Sequence, residues 1–171
     1  RPILVNATSS EVGVDFAAKH SDLLFITRPA GSDVYGLLKE HNLKIKNRAL
    51  ESGHSVRTII NPHVICADTE KEAKARKQAF IDHADPVALD NFFKFITGGD
   101  TVSWKGAMRD DLAVGGNMQM VGTPEQVVEK MLKLHDCGID GIQVNFYDYL
   151  PDLEYFGERV LPLMKEAGLR N

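Results

Sequence analysis

The chain has 171 residues, enough for one ordinary domain with a sizeable core. Hydrophobic residues make up 43% and charged residues 26%, the balance of a folded globular chain rather than a disordered one. The net charge of −4 comes with no basic tract, which argues against nucleic acid and anionic membrane as partners. No apolar run approaches the roughly 20 residues of a membrane helix.

Cys66 and Cys137 are the two cysteines. They sit far apart in apolar segments, which predicts free buried thiols and a reducing, cytoplasmic compartment. The chain starts Arg1-Pro2-Ile3-Leu4-Val5, without Met, and runs straight into strand-like residues. It therefore reads as a piece of a longer protein.

Ile3-Leu4-Val5 predicts a short strand that turns at Asn6 to Ser10 into a helix carrying Val14, Phe16, Ala17 and Ala18. Residues 23–27 are the second strand, closed by Pro29-Ala30-Gly31. Ser32 and Asp33 cap a helix over 34–50, stopped at Gly53. Residues 56–66 form the third strand region, with Pro62 an oddity inside it. Asp68 and Thr69 cap a charged helix to about His83, whose Glu70 to Lys77 run is a solvated face. Asp85-Pro86 starts another helix through Phe92, Phe93 and Phe95. Residues 97–117, bracketed by glycine pairs, read as a long loop holding one short helix. Thr123-Pro124-Glu125-Gln126 is a helix start, with Pro at the first position and Gln at the third. Gly138 ends that helix. Residues 141–146 alternate as a strand, and a last helix spans about 153–167.

Four strand-helix units imply an α/β fold with parallel strands and right-handed crossovers. Four units are half of an eight-unit barrel, which takes ~250 residues. A small open sheet is the alternative. The spaced-glycine dinucleotide fingerprint is missing after the first strand.

Three groups of segments carry a family resemblance. They are Asn6-Ala7-Thr8-Ser9-Ser10-Glu11-Val12-Gly13 with Phe16-Ala17-Ala18; Pro62-His63-Val64-Ile65 with Asp68-Thr69-Glu70; and Val121-Gly122-Thr123-Pro124-Glu125-Gln126-Val127 with Gly138-Ile139-Asp140-Gly141 and Phe156-Gly157-Glu158-Arg159-Val160-Leu161-Pro162. Together they resemble the bacterial-luciferase-like flavin monooxygenases, in their pyrimidine, dimethyl sulfone and alkanesulfonate branches. The resemblance implies a (β/α)8 TIM barrel. Residues 1–171 would be one domain, the C-terminal half with strands five to eight, and 97–117 a mobile loop. It implies a reduced-FMN monooxygenase that takes oxygen, a small organic substrate and FMN from a separate flavin reductase. Two alternatives stay open: a coenzyme F420-dependent oxidoreductase of the same fold, and a catalytically inactive half-barrel or split-protein half. Such a half would associate with its own copies as a homo-oligomer or with an N-terminal half of the barrel.

The candidate site follows from strand ends. Ser9 and Ser10 lie where a strand meets a helix, whose unpaired N–H groups and dipole favour an anion. The resemblance assigns FMN phosphate contact to Ser10, with Ser9 beside it; the plain alternative is an N-cap. Glu11 is an adverse neighbouring charge. Asn61 and His63 are two apart on one strand and share a face. The resemblance places Asn61 and His63 in the catalytic site, at positions where the alkanesulfonate branch has an Arg and a His; a neutral amide cannot pair with an anion as a guanidinium does, which argues against sulfonate clamping. His63 suits hydrogen bonding to the reacting oxygen or proton transfer, against a plain core histidine. Gln143 and Asn145 point opposite to Ile142, Val144 and Phe146, toward a barrel interior, with Asn145 a cofactor contact. Tyr147 follows on that side at the strand's C-terminal end, where barrel active sites sit. Its plain alternative is a boundary tyrosine. Arg28 is on the same rim, either meeting phosphate or solvated. Trp104, Lys105 and Arg109 belong to the loop, read either as a lid that excludes water or as disorder. His20, His41, His54, His83 and His135 have no metal-ligand spacing.

Overall fold

The computed structural model describes residues 1–8, 10–27, 33–97 and 107–170. The first strand, β1 (Val5–Ala7), lies two residues later than its apolar run predicts. The Leu4 carbonyl accepts from the N–H groups of Asp22 and Leu23, and the Leu4 N–H donates to the Asp22 carboxylate. Those bonds spend the run on the approach to the sheet. Helix α1 (Glu11–His20) follows, then β2 (Leu23–Phe25) and α2 (Val34–Glu51). Asp33 caps α2 by accepting from Gly36 N–H at 2.9 Å. Ser32 lies outside the described residues.

The third strand region divides into β3 (Arg57–Ile60) and β4 (His63–Cys66). Pro62 sits between them and has no N–H to continue a ladder. The rest of the chain is α3 (Glu70–Asp82), α4 (Pro86–Thr97), α5 (Ala107–Ala113), β5 (Gln119–Gly122), α6 (Pro124–Asp136), β6 (Gly141–Ile142), α7 (Tyr149–Tyr155) and α8 (Leu161–Glu166). Thr69 and Thr123 each form a full capping box, with Glu72 and Gln126 reaching back to the cap N–H. A π turn, Phe156–Val160, joins α7 to α8. There the Leu161 N–H bonds the Phe156 carbonyl five residues back, and Pro162 offers no donor of its own.

All strand pairs are parallel. One sheet runs β1-β2-β3-β6, and β4 pairs separately with β5. Strand β5 escaped the sequence pattern because four residues after two glycines carry almost no period; pairing with β4 makes it a strand. The predicted strand over 141–146 keeps only two ladder residues. Beyond them Gln143 N–H donates to Ile60 O, and Asn145 N–H to Pro62 O. Asn145 O then accepts from Val64 N–H. This segment therefore crosses the Pro62 break and joins the two sheets.

One apolar cluster serves both sheets, with Leu24, Ile26, Leu38, Ile45, Ile60, Val64, Met120, Val127 and Leu134 buried in it. Cys66 and Cys137 are free and buried, and burial pushes the Cys66 thiol up to about 11. No helix among the described residues is long and apolar enough to cross a membrane.

A buried polar knot locks the N-terminal end of β3. Asn42 accepts from the Thr58 hydroxyl at 2.7 Å and donates to the Cys137 carbonyl at 2.9 Å. Gly138, at φ 76°, leaves room for it: an added Cβ there would stand 3.0 Å from the Asn42 amide. Asn42→Ala is expected to cost about 1–3 kcal/mol in urea unfolding, because it orphans the Cys137 carbonyl, while the Thr58 hydroxyl keeps the Asp140 carboxylate at 3.2 Å. A loss under about 0.5 kcal/mol would show that these bonds contribute nothing net.

Candidate active site

The described candidate residues form two adjoining parts, one at the C-terminal ends of β1, β2, β3 and β6 and the other at the start of β4. The first is a groove of about 430 Å³ lined by Ala7, Thr8, Phe25, Ile26, Thr27, Asn61, Asn117 and Gln143. Its described lining carries hydroxyls and amides but no charge. Helix α1 begins beside it. Ser10 is the N-cap, accepting from Gly13 N–H at 3.1 Å, so the plain capping role is present. Among the described residues its hydroxyl proton has no acceptor. Glu11 is drawn away from that helix start by Lys44 at 3.1 Å and Arg48 at 2.7 Å. These bonds hold its carboxyl below the usual range, with Arg48 the larger influence. Ser9 and Arg28 lie outside the described residues.

The second part is aromatic. His63 opens β4, and its ring stacks on Tyr147 at 4.9 Å between centroids, 20° from parallel. Tyr147 also stacks on Phe80 of α3 at 4.1 Å and 24°. Gly115, at φ 87°, closes over the pair: a Cβ there would come within 2.7 Å of His63 Cε1 and 3.5 Å of the Tyr147 hydroxyl. Only glycine fits that approach. His63 Nδ1 is buried and has no hydrogen-bond partner among the described residues. Burial lowers His63 below its ordinary value and raises Tyr147 above its own.

Asn145 links the two parts. Its amide donates to the Asn61 carbonyl at 3.3 Å, and its backbone bridges to His63. The break at Pro62 corrects the expectation of one continuous face for Asn61 and His63. Asn61 lines the groove, and His63 turns to the aromatic pair. Arg109, in the loop region, pairs with Asp90 of α4 at 2.7 Å. Trp104 and Lys105 lie outside the described residues.

Thr8, Thr27, Asn117, Phe80 and Gly115 complete the site without having been singled out from sequence. Only the glycine pair 115–116 left a local signal there.

The family model for luciferase-like monooxygenases matches residues 1–141. The chain belongs to the luciferase-like monooxygenase family. Among curated luciferase-like relatives, an FMNH2-dependent dimethylsulfone monooxygenase of Pseudomonas fluorescens is 34% identical, across 97% of this chain and 47% of its own length. The pyrimidine monooxygenase RutA of Acinetobacter baylyi is 31% identical, across 94% of this chain and 45% of its own length. The chain thus spans about half the length of the curated relatives it matches. The fold agrees with solved structures. A riboflavin lyase superposes with a TM-score of 0.84 at 23% identity, over 99% of this chain and 44% of that one. A long-chain alkane monooxygenase superposes at 0.82 and 24% identity, over 99% and 42%. The α/β fold with parallel strands is that of the luciferase-like TIM barrel, over about half of its length.

Proposed function

We propose that the full-length protein is an FMN-dependent monooxygenase acting on a small uncharged organic substrate with oxygen, and that a separate reductase provides its reduced FMN. The reading rests first on the His63–Tyr147 pair beside an uncharged groove at the strands' C-terminal ends. The relatives' names point the same way.

The residues present suit FMN. The first turn of α1 has N–H groups that helix bonds do not use, and Ser10 adds a hydroxyl proton; both would receive the phosphate. Thr8, Asn61, Asn145 and Gln143 offer neutral donors and acceptors for the polar edge of the flavin ring. Bound reduced FMN would supply the electrons that activate oxygen. His63, neutral because it is desolvated, is suited to move a proton at Nδ1, and Tyr147 to donate from its hydroxyl. The stacked rings and Gly115 would keep water from that proton. We place the protein in the cytoplasm on its two free buried thiols. We take residues 1–171 as one domain, the C-terminal half of the barrel; of the segment 97–117, residues 98–106 lie outside the described residues.

The test is FMN titration of the full-length protein against Ser10→Asp. Aspartate caps helices as well as serine does, so α1 should persist. The added carboxylate next to a phosphate should weaken FMN by about 1–3 kcal/mol. Unchanged affinity would leave Ser10 a cap alone. No flavin binding by the wild type would end the flavin reading.

A further inference from the structure

We infer that Arg76 and Phe80, one turn apart on α3, are positioning residues that hold Tyr147 and His63 against each other. The inference rests on the role proposed above for that pair. Phe80 acts directly, since its ring stacks on Tyr147. Arg76 acts through the ends of the two elements that carry the pair. Its Nη1 donates to the Cys66 carbonyl at 2.8 Å, at the end of the strand that His63 begins. Its Nη2 donates to Asp152 Oδ1 at 2.5 Å, in the first turn of the helix that follows Tyr147.

Asp152 is buried, and its other oxygen accepts the Asp148 N–H at 3.4 Å. Asp148 makes no side-chain cap of its own, so this carboxylate is what fixes the start of α7. Two residues on one helix face thus pin the same segment, 147–152, at its ring and at its backbone. A guanidinium suits this because its planar fork reaches two acceptors at once.

The groups around His63 leave the readout clean. The charged residues on the packed helices are Glu70, Lys71, Glu72, Lys74, Arg76, Lys77 and Asp82 on α3, Arg109, Asp110 and Asp111 on α5, and Asp152 and Glu154 on α7, with Asp148 just before it. Burial is the one cause that lowers His63. Its titration therefore reports how tightly the rings enclose it.

The experiment follows the His63 ring by NMR in the histidine-labelled full-length protein, with the resonance assigned by His63→Gln. Phe80→Leu and Arg76→Gln should both raise the His63 midpoint toward the ordinary histidine value. Phe80→Tyr, which keeps the ring, should leave it where it is. A merely structural role would lower unfolding stability and leave the midpoint unmoved. An unmoved midpoint in folded Phe80→Leu overturns the inference. If Arg76→Gln does not fold, Arg76→Lys, which keeps charge but loses the fork, takes its place with the same expected shift. In the full-length protein Phe80→Leu should lower kcat by roughly 10²-fold with KM little changed. A shifted midpoint together with wild-type turnover in His63→Ala would leave the positioning standing and remove the catalytic reading beneath it.

Discussion

His63→Ala is expected to lower turnover of the full-length protein by roughly 10²–10⁴-fold, the usual range for losing a proton-transfer group. FMN affinity should hardly change, because His63 is not in the lining of the groove beside α1. Tyr147→Phe should act in the same direction and keep the stack intact, since only the hydroxyl is removed. Single-turnover kinetics at wild-type speed in both variants would dismiss the pair as ordinary packing. The pH dependence has a definite sign. Burial holds His63 below its ordinary value, so the neutral ring predominates at neutral pH. Activity that needs a proton acceptor should fall as pH drops through that lowered value. Stability moves the same way. The unfolded chain takes up the proton near the ordinary value of about 6.5, before the folded chain does. Acidification through that window therefore favours unfolding, and the loss is complete below the lowered value. His63→Gln should flatten this part of the stability profile.

The 171-residue chain on its own should not sediment as a 19.0 kDa monomer. Among the described residues strand β1 is the end of the four-stranded sheet and pairs on one side only, with β2. Around it Ile3 is 70% exposed, Leu4 48% and Val5 52%, and Phe16 on α1 is 56% exposed. An open parallel edge flanked by such side chains is a template for another strand. Contiguous apolar surface beyond a few hundred Å², roughly the tolerance of soluble monomers, drives association. Self-association, or pairing with a separately produced N-terminal half of a relative, is the expected result. Val5→Lys puts a charge on that edge and should shift the chain toward monomer. A monodisperse, cooperatively unfolding wild-type monomer in analytical ultracentrifugation would mean that β1 needs no neighbour.

What could be read in advance was local. The caps at Ser10, Asp33, Thr69 and Thr123 all form, because a hydroxyl or carboxylate three residues before a helical N–H needs no distant partner. Pro62 marked the strand break for a similarly local reason, the missing N–H. Helix α7 begins at Tyr149, four residues before the apolar stripe suggested. That start depends on Asp152 and Arg76, which are 76 residues apart. The stack of Phe80 on Tyr147 spans a comparable distance, and nothing in the solvated pattern of the Glu70 to Lys77 run foretold it. His63 and Tyr147 were legible as rim residues. Their contact was not, because it depends on how the chain turns after Pro62 and on Gly115, far along the chain from His63.

The break at Pro62 also decides where this fold can tolerate change. Strand β5 docks on β4, beyond the break, and takes no place in the four-stranded sheet. The segment between α4 and β5 can therefore grow, shrink or be exchanged without altering how many strands the main sheet has to bring together. Its near end, Gly115 to Asn117, still touches both the aromatic pair and the groove. Recombination in this stretch would rewrite the mouth of the site while the scaffold stays the same, a separable cassette through which related proteins can diverge in what they admit.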